Sequence, residues 1–295
     1  MRNLHIAIAS TTSLPGAVAA NLEQITGFAR RAGEDGAQVL LTPELSACGY
    51  GPYPEVLATA EPAGDGPIYE RLAALASETG VTLCAGFVEL ADGLPYLDHY
   101  IVSPGGHFQV QRKHRVTLCE RPLTPGVALT PPPTDPPPAD PADPGQPKTL
   151  NFTVFEIQGV RCAIAICADI GIRDVFRSTH ELGVDVLMNP AGGGGRREHR
   201  VTTEELRTSE GRAIYLDWLE KTFYPGAWIV GTCLEWGMCY TGVNMCGYDG
   251  KNQYHMGHGM IVTPQGEVPG FFHGLPNLDR QRPMYTHAVV EFACL

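Results

Sequence analysis

Positive charge is scarce in this chain of 295 residues: 21 Lys+Arg stand against 32 Asp+Glu, a formal net charge of −11. A protein that neutralises phosphates along a nucleic acid needs the opposite balance, so no nucleic-acid partner is expected. Long apolar runs are missing too. None reaches the roughly 18 residues that cross a bilayer, and Met1 to Ser10 lacks the regions of an export signal, so a cytoplasmic protein without a membrane partner is expected. No Cys-x-x-Cys pair occurs. The nine cysteines, odd in number and set among apolar neighbours at Cys84, Cys162 and Cys294, read as reduced, mostly buried thiols. Cys233, Cys239 and Cys246 with His255 and His258 match no zinc-knuckle spacing, and no metal is expected. The run Gly192 to Gly195 lacks the Lys-Ser/Thr of a phosphate loop and reads as a mobile rim of a cleft.

What is present is a globular balance, with 43% hydrophobic and 18% charged residues. His5 to Ala9 reads as a strand. Val18, Leu22, Ile25, Ala29 and Ala32 then recur on one helical face, with Gly33 and Gly36 as the stop. Val39 to Leu41 is a wholly apolar strand, which implies a sheet covered on both sides. Ile68, Leu72, Leu75 and Thr79 share the next helix face, and Val81 to Val88 forms the following strand, so strands and helices alternate. Strands near Tyr100 and Phe108 form a hairpin about Pro104-Gly105-Gly106. Between Thr130 and Pro147 there are nine prolines and no large apolar residue. Strands resume directly at Phe152, so this stretch of about 130–147 reads as a loop insertion in a single domain spanning 1–295 rather than a linker. A second hairpin pairs Phe152–Ile157 with Val160–Ile166, where Val160, Cys162, Ile164 and Ile166 face one way and Ala163, Ala165 and Cys167 the other. A helix from about Asp174 to Gly183, the buried strand Val184–Asn189, a helical stretch 203–222, a strand Trp228–Cys233, strands near Met260 and Phe271 and a last strand Thr286–Phe292 complete the reading. Trp228, Trp236 and Tyr240 read as core or pocket wall.

Three chemically capable side chains stand at strand ends. Cys167 closes Ala165-Ile166-Cys167, Glu44 follows Val39–Leu41, and Lys113 follows the strand around Phe108 to Gln111. A thiol attacks only as thiolate, and an ordinary pKa near 8.5 leaves little of it at neutral pH, so a neighbouring base or cation is required. Glu44 can take the thiol proton and return it to a leaving amine, while Lys113 and a backbone N–H stabilise an oxyanion. Spacing alone leaves the plainer readings open: a turn glutamate, a surface lysine and a core cysteine.

The surrounding residues resemble the nitrilase superfamily of carbon-nitrogen hydrolases. Pro43-Glu44-Leu45 with Gly49-Tyr50 resembles its first glutamate motif. Lys113-His114-Arg115-Val116 through Glu120 and Pro125-Gly126 is similar to its lysine motif. Cys167-Ala168-Asp169, with Arg177 and Asp185 to Pro190 beyond, resembles its nucleophile motif, and Gly257 to Val262 before Pro264-Gln265-Gly266 its late strand pair. Ile172-Arg173-Asp174 departs from the family's common Phe-Pro-Glu, and His258 stands where Ser is frequent. The resemblance implies an α/β fold, a four-layer α-β-β-α sandwich, with Glu44 as base, Lys113 as oxyanion donor, Cys167 as nucleophile and Glu120 as second carboxylate. It also implies the Ala168 N–H as partner donor, no cofactor, and pairing through helices into a homodimer or larger homo-oligomer.

The implied activity is a cysteine-dependent hydrolysis of a small amide or N-carbamoyl compound through a thioester, releasing ammonia or an amine. Cys167-Ala168-Asp169 sides with the amidase and carbamoylase branches rather than the Trp-Glu common among nitrile-acting ones. A nitrilase, an acyltransferase and a catalytically silent scaffold are the alternatives. Tyr50, Tyr53, Ala168, Asp169 and Asn189 are candidate substrate contacts, though turn packing explains Tyr50 and Tyr53 equally well. Arg173, Arg196 and Arg197 offer a fork for a substrate carboxylate, or pair with surface acids.

Overall fold

The computed structural model describes residues 2–51, 53–117, 120–126, 129–130, 146–147, 149–172, 174–195, 201–223, 225–273 and 282–293. The first part of the chain forms β1 (Arg2–Ser10), α1 (Val18–Glu34), β2 (Val39–Leu41), α2 (Pro54–Leu57), α3 (Pro67–Thr79), β3 (Thr82–Ala91), β4 (Leu94–Val102) and β5 (Phe108–Arg112). Next come β6 (Leu129–Thr130), β7 (Gln146–Pro147), β8 (Phe155–Ile157), β9 (Val160–Ile164), α4 (Val175–Glu181), β10 (Val186–Ala191) and β11 (Gly194–Gly195). The last part holds α5 (Ser209–Phe223), α6 (Pro225–Trp236), β12 (Cys239–Asn244), β13 (Cys246–Tyr248), β14 (Tyr254–Met256), β15 (His258–Val262), β16 (Gly270–His273) and β17 (Met284–Phe292).

Two six-stranded sheets carry the fold, ordered β17-β1-β2-β3-β4-β5 and β16-β15-β12-β10-β9-β8. In each the central strands run parallel, β1 with β2 and β3 in one, β9 with β10 and β12 in the other. Parallel centres are buried on both faces, which is why Val39–Leu41 and Val186–Met188 read as unbroken apolar runs. The sheets face each other: Ile6, Ile8, Val39, Leu41, Cys162, Ile164, Val186, Met188 and Val243 share one core. On the outer side of the second sheet Ala163, Ala165, Leu187 and Tyr240 pack with Val175 and Phe176 of α4 and Ile229 and Cys233 of α6. Helices α1 and α3 pack together against the first sheet. The result is the four-layer α-β-β-α arrangement, and the period-2 alternation of β9 sorts its side chains between the two cores as its sequence implies.

Three local expectations change. Gly33 lies inside α1 rather than ending it. A Cβ there would sit 2.9 Å from the Thr79 carbonyl oxygen, so the glycine permits close approach of α1 to the end of α3. Trp228–Cys233 is helical, part of α6, and the strand beside β10 is Cys239–Asn244. A short apolar run has no distinguishing period, and Pro225 is a good opening residue for a helix. The small sheet β11-β14-β13 arises from two- and three-residue pieces, Gly194-Gly195, Cys246-Gly247-Tyr248 and Tyr254-His255-Met256, too short to carry a strand signal. Of the proline-rich insertion, residues 131–145 lie outside the described residues, while its edges pair as β6 and β7. Among the described residues no helix is long and apolar enough to cross a membrane.

Candidate active site

Glu44 stands just past β2 in a tightly folded loop. The Thr42 and Ser46 hydroxyl oxygens lie 2.8 Å apart, and the loop is tied to β3 by Gly86 N–H donating to Ser46 Oγ (3.1 Å) and Ala47 N–H donating to the Gly86 carbonyl (3.0 Å). Lys113 follows β5, anchored by its N–H to the Leu97 carbonyl (2.8 Å). Both side chains are fully buried. Cys167 ends the β9 segment and opens a 3-10 turn, Cys167–Gly171, with a left-handed φ of 49°. That φ, rare for a residue with a Cβ, turns the thiol off the path that strand alternation predicts, and it packs against the inter-sheet core rather than the helix-side one.

The three strand ends converge. Lys113 Nζ donates to Glu44 Oε1 at 2.6 Å and to Glu120 Oε1 at 2.5 Å. The Cys167 sulfur and one carboxylate oxygen each from Glu44 and Glu120 lie within 4.8 Å of one another. These are donors a metal ion could use, but the two carboxylates already share a cation, the Lys113 ammonium. Glu120 is further held by the Tyr50 hydroxyl (2.9 Å) and the Thr117 N–H (2.8 Å). Glu44 Oε2 is different: buried, it accepts no geometrically good hydrogen bond among the described residues.

Burial raises the Glu44 carboxyl to about 7, with Lys113 opposing and Glu120 reinforcing the rise; the Cys167 thiol is among the groups that favour its charged form. Burial alone would make Lys113 easier to deprotonate, yet the charges of Glu44 and Glu120 overcome it and hold the ammonium. Burial and then Glu44 push the Cys167 thiol up, against Lys113 and the Gly192 N–H, which favour the thiolate. The resting site therefore holds a neutral thiol beside a carboxyl poised near neutrality and a permanent cation. Such an arrangement can move one proton from sulfur to carboxylate as the sulfur bonds to carbon.

The remaining candidates divide. Tyr50 belongs to the site: its ring meets His255 edge-on at 5.9 Å and packs where a side chain at Gly192 would otherwise stand. Ala168 offers a backbone N–H that makes no hydrogen bond among the described residues. Tyr53 points elsewhere, its hydroxyl 3.1 Å from Asp249 Oδ2 and 2.7 Å from Asn252 Oδ1, bracing the turn between β13 and β14. Asp169 is fully buried and accepts from the His114 N–H (2.9 Å) and the Arg115 N–H (3.2 Å), stapling the lysine segment to the nucleophile turn. Asn189 lies behind that turn, bonded to Ala165 and Cys167 carbonyls and to Tyr240. Arg173, Arg196 and Arg197 lie outside the described residues. Sequence reasoning missed Arg115, whose guanidinium grips the Ala168 carbonyl (2.6 Å), and Asn244, whose amide holds the Gly193 carbonyl (3.0 Å). Arg115 sits two residues past Lys113 within the same short motif, a signal that was available. Asn244 had none.

The model of the family described as carbon-nitrogen hydrolase matches residues 5–270. A protein from Pyrococcus abyssi (strain GE5 / Orsay) called a nitrilase is 25% identical over 173 residues, 58% of this chain and 58% of that relative's length. Among solved structures, an amidase from Nesterenkonia sp. matches with a TM-score of 0.68 at 20% identity, over 97% of this chain and 90% of that one. A cysteine-to-alanine variant of the amidase from Nesterenkonia sp. AN1, in complex with butyramide, matches with a TM-score of 0.68 at 19% identity, over 97% and 91% of the two chains. A glutamate-to-leucine variant of that amidase, with the acetamide moiety of fluoroacetamide added covalently at the active-site cysteine, matches with a TM-score of 0.67 at 19% identity, over the same shares. At these identities the structural likeness speaks for a common fold.

Proposed function

Since the chain belongs to the carbon-nitrogen hydrolase family, we propose that it opens the carbon-nitrogen bond of a small amide through a thioester on Cys167. The observation that carries this reading is the state of Glu44: one oxygen is neutralised by Lys113, the other is buried and accepts no geometrically good hydrogen bond among the described residues, and the carboxylate lies within 4.8 Å of the Cys167 sulfur. A structural salt bridge has no use for a spare desolvated acceptor, because leaving one unmade costs about 1–3 kcal/mol.

In the proposed cycle Glu44 removes the thiol proton as sulfur attacks the carbonyl carbon. The oxygen becomes an oxyanion held by the Lys113 ammonium and the Ala168 N–H. The protonated Glu44 then passes its proton to the leaving nitrogen, the tetrahedral centre collapses, and ammonia departs from the thioester. Glu44, again a carboxylate, takes a proton from water, whose oxygen attacks the thioester carbon. Collapse releases the acid and the thiolate, which recovers its proton from Glu44. Glu120, fixed by Tyr50 and Thr117, keeps Lys113 in place throughout. An amide is favoured over a nitrile by the amidase structures that share the fold, one of them holding butyramide.

Incubation with panels of small amides, N-carbamoyl amino acids and nitriles, followed by intact-mass measurement, tests the reading. Amides are expected to release ammonia and to leave an acyl adduct on Cys167, with Cys167→Ala losing both. Turnover by Cys167→Ala, or no adduct and no ammonia from any panel, overturns it. Turnover of nitriles alone moves the assignment to a nitrilase.

A further inference from the structure

Behind the turn opened by Cys167, on the helix side of the second sheet, two residues of adjacent strands form a polar relay buried among apolar neighbours. Asn189 on β10 pairs in register with Gly242 on β12, and Tyr240 stands two residues before Gly242 on the same face. The Tyr240 hydroxyl donates to Asn189 Oδ1 at 3.0 Å. Asn189 Nδ2 donates to the Ala165 carbonyl at 2.6 Å and to the Cys167 carbonyl at 3.1 Å. Burial keeps the Tyr240 phenol protonated, so it is a fixed donor and sets which end of the Asn189 amide faces the turn. Gly242 is part of the device. A Cβ at that position would come within 2.5 Å of the Tyr240 hydroxyl and drive it off Asn189.

We propose that Asn189 and Tyr240 are positioning residues that aim the oxyanion donor, by fixing the peptide between Cys167 and Ala168 from its carbonyl side. The inference rests on Cys167 being the nucleophile. A peptide group is planar, and in a trans peptide the C=O and N–H point in opposite directions; the one cis bond among the described residues is elsewhere. Holding the Cys167 oxygen at the back of the turn therefore turns the Ala168 N–H towards the cleft, where it makes no hydrogen bond among the described residues. That N–H is also one of the orphan donors in the first turn of the 3-10 segment, so no helical bond competes for it. The chain of hydrogen bonds polarises the peptide, since accepting a bond at the carbonyl makes the N–H a stronger donor. The left-handed φ at Cys167 explains why an anchor is needed: a non-glycine residue in that region stays there only when its surroundings over-determine it.

The experiment separates oxyanion chemistry from simple support of the fold. Tyr240→Phe and Gly242→Ala are prepared beside the parent and Cys167→Ala, and each is first checked for a cooperative melt. Three quantities are read: kcat and KM for amide hydrolysis, inhibition by an aldehyde analogue of the substrate, and the alkylation rate of Cys167 by iodoacetamide at fixed pH. The aldehyde adds the thiol to its carbonyl and forms an oxyanion. Iodoacetamide loses iodide at a saturated carbon and forms none. For Tyr240→Phe, kcat and aldehyde affinity are expected to fall about tenfold, below the roughly 10²–10³ of a deleted direct donor, while KM and the alkylation rate stay within about twofold. Gly242→Ala is expected to show the same pattern. Equal losses in alkylation and hydrolysis, or unchanged kcat and aldehyde affinity in folded variants, overturn the proposal. Hydrolysis by Cys167→Ala instead removes the reading on which it rests.

Discussion

At the scale of the residue, the proposed cycle makes the carboxyl of Glu44 govern when the site works. The unfolded chain releases this proton near the ordinary 4.5 and the folded one near 7, because burial disfavours the charge. Two consequences follow in opposite directions. The proton's contribution to stability is full below pH 4.5 and lost as pH rises through 7. Catalysis gains over that upper range, because a protonated Glu44 cannot accept the thiol proton. The kcat/KM profile is expected to climb with unit slope and level off above an apparent pKa of about 7, and Glu44→Gln is expected to lose the activity. A profile flat between about pH 5 and 9 contradicts the assignment of Glu44 as base. The four residues that meet here were legible because short motifs flank them. Asp169, Asn189 and Tyr53 are candidate contacts in the sequence because they stand in or beside the motifs, with turn packing an equal account of Tyr53. Nearness does not say which face a side chain takes: Asp169 turns inward as a staple, Asn189 sits behind the turn, and Tyr53 reaches a distant hairpin.

At the scale of the element, Gly86 shows how a strand sets the position of a neighbouring loop. It lies in β3, and a Cβ there would come 2.1 Å from the Leu45 backbone nitrogen. The same residue bonds the loop through both its N–H and its carbonyl. Gly86→Ala is therefore expected to lift the loop that carries Glu44 and to lower kcat about a hundredfold, a loss that misplacement by about 1 Å can produce, together with a lower melting temperature. Normal kcat in a folded variant would show that the loop tolerates displacement. Alternation of strands and helices was readable wherever the period was clear, as in α1, α3 and β9. It failed at α6, whose apolar residues lack a clean period, and at β13 and β14, three-residue strands too short to show a period and joined by Asx-type turns at Asp249.

At the scale of the whole molecule, the site exists only where the two sheets meet. Glu44 and Lys113 come from the first sheet and Cys167 from the second, with Arg2 bonded to Asp185 (2.7 Å) and Gln111 bonded to Asn151 (3.1 Å) and Thr153 (2.7 Å) tying the two together. No sequence pattern announces that meeting, since each sheet's apolar faces state only that something covers them. Because the sulfur lies at this seam beside a carboxylate, it stays protonated between turnovers, and sulfenic acid forms from thiolate, not thiol. The resting enzyme is thus expected to lose activity to hydrogen peroxide at pH 7 more slowly than free cysteine is consumed; faster inactivation would mean that the idle sulfur is already ionised. In the proposed cycle reactivity is lent to the sulfur for the length of one encounter, so an idle site would pass through an oxidising spell without being spent.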